Sequence, residues 1–211
     1  MSTLTKSKIE ERLKDKERPL VISPILDLKQ IGDVSVDLRL GNQFIVFRMH
    51  RFGEFSPYDQ PGSKLGGLQE RQVIRYYGEH FVLHPGVLVL GSTFEYIGMP
   101  NDLEGQIEGR SSWARLGLQI ATASSVEPGF GGVLTLELSN VGTIPLKLHP
   151  GVRVAQLVLH DALPQMAKAY KGKRKYLCPV GPQFSRAHLD DDGKRFSLAL
   201  DPSVDGIAAD D

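Results

Sequence analysis

The stretch GRSSWARLGLQIATASSVEPGFGGVLTLELSN, residues 109–140, combines a cationic cluster, a proline-glycine turn and an apolar, strand-like run. The hydrogen-bond donors at its start are Arg110, Ser111, Ser112 and Arg115. Guanidinium forks and hydroxyls donate well to the oxygens of phosphate groups. The cluster therefore predicts a binding site for a phosphorylated small molecule.

Two acidic residues follow this cluster. Glu127 lies in the turn signature VEPGF, and Glu137 lies in the run VLTLEL, whose alternation predicts a strand. Read alone, the strand favours a solvent-facing Glu137 by roughly two to one over a pocket that serves chemistry. Taken with the donor cluster, the two carboxylates suit a phosphorylated substrate attacked by a carboxylate-activated water.

Composition sets limits on the class of protein. Lys and Arg number 25 and Asp and Glu number 25, so the net charge of zero argues against a general nucleic-acid binder. The 211 residues contain no apolar run long enough to span a membrane, and the charged N-terminus has no signal-peptide core. The single cysteine, Cys178, fits a reducing cytoplasm, and we expect it to be a small, buried or partly buried apolar residue.

Outward from this stretch, the pattern predicts a short helix over residues 5–16, which precedes Pro19. Residues 34–41 alternate apolar and polar side chains and predict a strand, with residues 44–47 as its hairpin partner. Residues 50–72 are rich in glycine, proline and charge, and we expect a long loop there.

The sequence LHPGV occurs at residues 83–87 and again at residues 148–152. Proline presets a turn and glycine accepts a positive φ, so the repeat predicts two similar hairpins. We prefer this interpretation to a metal site, because no acid or second histidine stands at ligand spacing nearby.

Many short strands separated by Gly/Pro turns predict an all-β protein, either a distorted β-barrel or a jelly-roll-like sandwich. Further strands are predicted at residues 94–97, 104–108 and 154–160, and a short helix or turn at residues 111–117. We expect one β domain over residues 1–189, including a polar tail from residue 164, followed by an acidic, flexible segment over residues 190–211.

Several catalytic motifs do not occur in the sequence. It has neither the His-x-Glu with Pro-Cys-x-x-Cys of zinc deaminases nor a phosphate loop of the Gly-x-x-x-x-Gly-Lys-Ser/Thr type. A Gly-x-Ser-x-Gly nucleophile elbow is also absent. Cys178 has no base beside it in sequence, so thiol catalysis is disfavoured.

The segment GRSSWARLGL, residues 109–118, resembles the phosphate-binding motif of the dCTP deaminases, a branch of the trimeric dUTPase superfamily. Thr122-Ala123, residues 127–130 and residues 135–137 follow in that family's order. VSVDLRLG at residues 34–41 and GVRVAQL at residues 151–157 resemble its early and late strand motifs. The resemblance covers about residues 5–185.

This resemblance implies a dUTPase-type fold and a homotrimer with active sites between subunits. It implies hydrolytic deamination of dCTP to dUTP and ammonia without zinc, with Mg²⁺ carried on the triphosphate. dTTP is an expected inhibitor. No nucleic acid or membrane partner is expected, and the implied location is cytoplasmic.

The resemblance also assigns roles by motif position. Glu137 would be the proton shuttle, Ser111 and the carbonyl of Ala123 would position the attacking water, and Arg115 would favour the ionised form of the carboxylate. The substrate-binding set implied by the resemblance is Arg110, Ser111, Ser112, Trp113, Ala114, Arg115, Glu127, Thr135, Leu136, Glu137, Gln156, Tyr170 and Lys175. Arg110 and the serines would hold phosphates, Glu127 would meet the deoxyribose, and Thr135 and Leu136 would line the base pocket. Gln156, Tyr170 and Lys175 would close over the triphosphate, with the tail over residues 164–189 as a lid.

Three positions depart from the family pattern. Ile120 stands about where a histidine is common, Glu127 replaces the usual aspartate, and Pro179 stands where a glutamine is usual.

Three alternatives remain beside the deaminase. They are a bifunctional enzyme that gives dUMP and pyrophosphate, a plain dUTPase, and a non-catalytic nucleotide-binding trimer. Ser124 stands where bifunctional members usually have glycine, which disfavours the bifunctional enzyme. Glu137 in Thr-Leu-Glu disfavours the plain dUTPase.

Overall fold

The computed structural model describes residues 2–48, 67–76, 78–121, 125–162, 176 and 178–187. The chain divides into two compact units, one of Met1–Val46 with Arg71–Gln183 and one of Phe47–Glu70 with Phe184–Asp211. The helices are α1 (Lys6–Lys14) and α2 (Ser111–Ala114), with a 3₁₀ turn at Leu28–Gln30. The strands are β1 (Val21–Ser23), β2 (Ser35–Arg39), β3 (Gln43–Phe47), β4 (Gln69–Val73), β5 (Phe81–Leu83), β6 (Leu88–Gly98), β7 (Leu103–Gly109), β8 (Leu118–Ile120), β9 (Ser125–Val126), β10 (Gly131–Asn140), β11 (Leu146–Leu148) and β12 (Arg153–Asp161).

The described strands form three sheets. The first has the order β4-β3-β6-β10-β8, with β1 also paired to β6; the second has the order β2-β12-β7-β9; and β5 pairs with β11 alone. The described helical residues are few, chiefly those of α1, α2 and the 3₁₀ turn. The prediction of an all-β fold with a short N-terminal helix is confirmed.

Strand alternation builds the core of the larger unit. Along β10, every second residue is buried, so Leu134, Leu136 and Leu138 point inward while Thr135 and Glu137 point to the other face. The inward leucines join one hydrophobic cluster that also receives Ile9 from α1. Burying such a side chain fully stabilises the fold by roughly 1.5–3 kcal/mol relative to leaving it in water.

The LHPGV repeats are turns, as predicted, but they do not form two hairpins. Gly86 and Gly151 have φ values of 74° and 86°, the left-handed region that glycine tolerates best. The strands that precede the two turns pair with each other, Leu83 with Leu146 and Phe81 with Leu148. Each turn therefore carries the chain from this small ladder into a different large sheet. The same pairing brings the His80 and His149 rings to 5.1 Å, a proximity that sequence spacing does not reveal.

Other local predictions are also corrected. Strands β2 and β3 are not hairpin partners, because β2 pairs with β12 and β3 with β6. Within the predicted loop over residues 50–72, residues 69–72 belong to β4, and the part up to residue 66 lies outside the described residues. Cys178 is exposed and has a φ of 45°, so the expectation of a buried cysteine is wrong.

A buried polar network ties β2 to β6. The Glu95 carboxylate has 0% exposure and accepts hydrogen bonds from the Arg39 backbone N–H at 2.8 Å and from the Gln30 side-chain amide at 2.8 Å. The Arg39 guanidinium donates to Glu95 at 3.3 Å and also to the Gln30 side-chain oxygen. Burial raises the pKa of Glu95, and these hydrogen bonds partly offset that rise. The network fixes the strand that carries Asp37, two residues before Arg39.

The smaller unit is described only in part. Within it, the Arg48 guanidinium lies 2.6 Å from the Glu70 carboxylate, and the Arg48 backbone N–H donates to the Leu68 carbonyl at 2.7 Å. No described helix is long and apolar enough to cross a membrane. The predicted domain boundary at residue 189 and the segment over residues 190–211 lie outside the described residues and stay predictions.

Candidate active site

The predicted phosphate-binding cluster lies where β7 ends and α2 begins. Ser111, Ser112 and Arg115 are exposed on this one-turn helix, as is Ala114. Trp113 is half-buried against the core, and its indole N–H donates to the Arg153 carbonyl at 3.0 Å. The helix is therefore fastened to β12 through its tryptophan, while its hydroxyls and its arginine face solvent.

Arg110, at the N-cap of α2, is fastened to the same strand. Its backbone N–H donates to the Val154 carbonyl at 3.1 Å, and Nη1 donates to the Arg153 carbonyl at 3.4 Å. Its Nε lies 3.4 Å from Oδ1 of Asp37 on β2. The side chain is thus held from two sides and retains about a third of its surface for a ligand.

Asp37 gathers three donors. Its Oδ2 accepts from Nη1 of Arg153 at 3.2 Å, and its Oδ1 accepts from Nε2 of Gln156 at 3.1 Å and pairs with Arg110. Residues 153 and 156 are an odd number apart and would face opposite sides of a regular strand. The register of β12 on β2 shifts between Arg153 and Ala155, and this bulge brings both side chains to one carboxylate.

Glu137 lies on the face of β10 that points away from the core. Its cross-strand neighbour on β6 is Leu90, and the neighbour of Leu90 on β3 is Ile45; these are 7% and 0% exposed. On its other side, the Ala121 N–H donates to the Glu137 carbonyl at 2.9 Å. Directly opposed residues share one face of a sheet, so the carboxylate is flanked by a buried apolar row rather than by water.

This environment perturbs the acid. Burial raises the pKa of Glu137, and a hydrogen bond from its own backbone opposes the rise only in part. Its Oε2 is buried and has no hydrogen-bond partner among the described residues. A desolvated carboxyl with an elevated pKa is a typical candidate for a general acid–base group, because its carboxylate binds a proton more readily than that of an ordinary glutamate. The solvent-facing interpretation of Glu137 is therefore wrong. The outward face of β10 is correctly inferred, but at this point apolar neighbours on the same sheet flank Glu137 and one of its carboxylate oxygens is buried.

Part of the tail lies along β10, beside this acid. The Val133 N–H donates to the Pro179 carbonyl at 2.8 Å, and the Gln183 N–H donates to Oγ1 of Thr135 at 3.1 Å. Pro179 is buried. The departure from the family pattern at Pro179 thus coincides with the point where the tail docks. Thr135 presents its hydroxyl on the face of Glu137.

The remaining predicted residues are placed as follows. The Leu136 side chain has 0% exposure and points into the core, so only its backbone can line a base pocket. Glu127 is exposed and opens the predicted turn, in which its carbonyl accepts from the Phe130 N–H at 3.1 Å. Ala123, Tyr170 and Lys175 lie outside the described residues.

The structure thus brings Arg110 and Gln156 to a common carboxylate. No hydrogen bond or ion pair between the described parts of the chain joins Ser111 or Arg115 to Glu137. Sequence reasoning missed Asp37 and Arg153. The signal for them was present, because both lie inside the early and late strand motifs, at 34–41 and 151–157.

Within the described ranges, no group of three or more His, Cys, Asp or Glu side chains is arranged to hold a metal ion. The zinc-free reaction and the nucleotide-borne Mg²⁺ stay predictions.

The sheets define an all-β fold, and the partly buried Glu137 is its candidate catalytic acid. Comparison with known proteins gives its family, since residues 3–162 match the model of dCTP deaminase-like proteins. The chain belongs to the dCTP deaminase-like family.

Its relatives carry two names. It is 39% identical over 194 residues to the "dCTP deaminase, dUMP-forming" of Methanobrevibacter smithii, an alignment that covers 90% of this chain and 97% of the relative. It is 40% identical over 185 residues to the "dCTP deaminase" of Natronomonas pharaonis, covering 82% and 90%. The crystal structure of 2'-deoxycytidine 5'-triphosphate deaminase from Agrobacterium tumefaciens matches with a TM-score of 0.58 at 23% identity, over 76% of this chain and 48% of that chain. The last comparison supports the predicted fold.

Proposed function

We propose that this chain catalyses the hydrolytic deamination of dCTP to dUTP and ammonia. The observation that carries the proposal is the Glu137 carboxyl, with its raised pKa and a buried oxygen that has no partner among the described residues. It lies in the Thr-Leu-Glu segment through which the chain resembles the dCTP deaminases. The names of relatives at about 40% identity support the same substrate.

In the proposed reaction, the Glu137 carboxylate takes a proton from water as the water oxygen attacks C4 of cytosine. The protonated acid then delivers that proton to N3, and the second proton of the water goes to the departing amine. The C4–N4 bond breaks, ammonia leaves, and the water oxygen remains as the new carbonyl. Because burial raises its pKa, the Glu137 carboxylate is a stronger base toward the attacking water than an ordinary glutamate would be.

We assign the phosphate chain to the donors around α2. Ser111, Ser112 and Arg115 are exposed there, and Arg110 keeps part of its guanidinium accessible. Gln156, Tyr170 and Lys175 complete this predicted set. Mg²⁺ enters with the nucleotide as part of the substrate. A homotrimer with active sites between subunits, inhibition by dTTP and a cytoplasmic location belong to the proposal.

The triphosphate has two possible fates. The name "dUMP-forming" in relatives such as that of M. smithii favours a second candidate, in which another water also cleaves the nucleotide to dUMP and pyrophosphate. Ser124 argues for the simple deaminase. The predicted product of the first candidate is dUTP.

Product analysis separates these functions. Purified protein is incubated with Mg²⁺ and either dCTP or dUTP, and nucleotides, ammonia and pyrophosphate are resolved. Ammonia with dUTP supports the simple deaminase, whereas ammonia with dUMP and pyrophosphate supports the second candidate. Conversion of dUTP without any reaction of dCTP would refute deamination and indicate a dUTPase. Nucleotide binding without turnover would indicate a non-catalytic protein.

A further inference from the structure

We propose that Asp37 is a positioning residue for the phosphate chain and that Arg153 is a further phosphate-binding cation. The proposal rests on the proposed function, because it assigns these residues to the phosphate end of the same site. Neither residue belongs to the substrate-binding set predicted from the sequence.

The geometry argues for a preorganised cradle. One carboxylate on β2 contacts Arg110 from the β7–α2 junction together with Arg153 and Gln156 from β12. These donors come from separate elements, and among the described contacts Asp37 is the side chain on which all three of them meet. Fixing long side chains before binding lowers the conformational entropy that binding must otherwise remove.

Burial separates the roles of the anion and the cations. The Asp37 side chain is 12% exposed, whereas those of Arg110 and Arg153 are 31% and 32% exposed. The carboxylate is therefore largely covered, while both guanidinium groups reach solvent. Each guanidinium has five N–H donors, and toward the described residues Arg153 uses Nη1, on Asp37 and on the Lys29 carbonyl at 3.4 Å. Within the described part of the chain, Nε and Nη2 of Arg153 therefore remain as donors for phosphate oxygens.

The formal charge of the cluster agrees with this assignment. Two guanidinium groups and one carboxylate leave one positive charge, and Gln156 adds a neutral donor. A Coulomb effect and a positioning effect of Asp37 therefore have opposite signs. Removing the carboxylate charge would strengthen phosphate binding if charge alone mattered, and would weaken it if Asp37 orients the donors.

The substitution Asp37→Asn distinguishes the charge effect from the positioning effect, because the two change phosphate affinity in opposite directions. The variant keeps the size of the side chain but replaces an acceptor for three donors with an amide. Asp33→Asn is the matched control, since Asp33 is exposed and contacts Lys6 through its backbone carbonyl. Arg153→Gln tests whether Arg153 binds phosphate. Thermal denaturation shows whether Asp37→Asn is folded, and Arg153→Gln still tests the cluster if it is not.

The first readout is the affinity for inorganic tripolyphosphate with Mg²⁺, measured by calorimetry. We expect Asp37→Asn and Arg153→Gln each to raise Kd by about tenfold, the effect of losing one charge-assisted hydrogen bond, and Asp33→Asn to leave it unchanged. Tripolyphosphate has no base, so this result does not depend on deamination. Failure of the proposed function would instead appear as wild-type protein that releases no ammonia from dCTP.

The second readout is steady-state kinetics with dCTP. A positioning role predicts a higher KM with kcat close to the wild-type value, whereas a merely structural role would lower kcat and the melting temperature as well. Tripolyphosphate binding by Asp37→Asn that equals or exceeds that of wild type would overturn the role of Asp37. Unchanged binding by Arg153→Gln would overturn that of Arg153.

Discussion

Glu137→Gln should affect activity and stability in opposite directions. The substitution keeps the shape of the side chain and removes both its charge and its capacity to carry protons. Loss of a general acid–base group costs about 10²–10⁴-fold in rate, so we expect deamination to fall by at least about 100-fold. The affinity for dCTP should stay near the wild-type value, because the phosphate contacts lie elsewhere.

The stability change follows from the carboxylate's surroundings. Its Oε2 is buried beside Leu90 and has no hydrogen-bond partner among the described residues. Glutamine keeps a polar group at this position, so the gain comes from removing the desolvated charge alone. An unsatisfied buried polar group costs about 1–3 kcal/mol, and we take the lower end, about 1 kcal/mol, because Glu137 as a whole is only partly buried. For a protein of this size, that gain raises Tm by about 2–4 °C at neutral pH.

The gain should depend on pH with a defined sign. The unfolded chain ionises this group near its ordinary pKa, about 4.3, whereas burial gives the folded protein a higher pKa. Between the two values the folded state binds more protons, so the free energy of unfolding of wild type falls as the pH rises through this window. Glutamine does not titrate. The advantage of the variant should therefore be present above the window and absent near pH 4.

The assay is ammonia release together with thermal denaturation at pH 4 and pH 7.5. Glu17→Gln serves as the matched control, since Glu17 is exposed and its described contact is made by its backbone N–H. Near wild-type deamination by Glu137→Gln would refute the assignment of the proton shuttle. A variant less stable than wild type at pH 7.5 would refute the desolvation argument.

Two further substitutions test other parts of the account. Asn140→Ala should lower the free energy of unfolding by about 2–4 kcal/mol, because the fully buried amide serves three backbone groups; urea denaturation measures this, and a loss below about 1 kcal/mol would contradict it. Gly132→Ala should release the tail from β10, because at a φ of 146° its Cβ would lie 2.3 Å from Cδ of Pro179. Hydrogen exchange at the Val133 amide, which donates to the Pro179 carbonyl, should then become about tenfold faster, and unchanged exchange would show that the contact is not required.

Local sequence patterns predicted the turns and strands better than they predicted which strands pair with each other. Proline and glycine in LHPGV identify both turns, because the φ preferences of these residues are local. They do not identify the pairing of Phe81–Leu83 with Leu146–Leu148, which joins segments more than 60 residues apart. The same limit explains the wrong hairpin between β2 and β3. A sheet pairing depends on the whole packed chain, and one strand's sequence does not contain it.

The candidate site shows a similar limit. Alternation correctly places Glu137 on the outer face of β10, yet it does not show that the buried Leu90 and Ile45 lie beside it on that face. In β2, alternation suggests that Asp37 and Arg39 face solvent, but both are buried because polar partners cover each of them. The bulge that turns Arg153 toward Asp37 shifts the register by one residue, a feature that the period-two pattern does not encode. The motif resemblance thus identified most of the candidate site residues, whereas their burial and contacts are seen only in the structure.

The central claim is water attack at C4 of cytosine, assisted by Glu137. It is tested most directly by turning over dCTP in H₂¹⁸O and determining the mass of the base in the nucleotide product. We predict one ¹⁸O in the uracil base for each ammonia released, and loss of both signals in Glu137→Gln. A product whose base carries no label, or dCTP consumed without ammonia, would contradict the account.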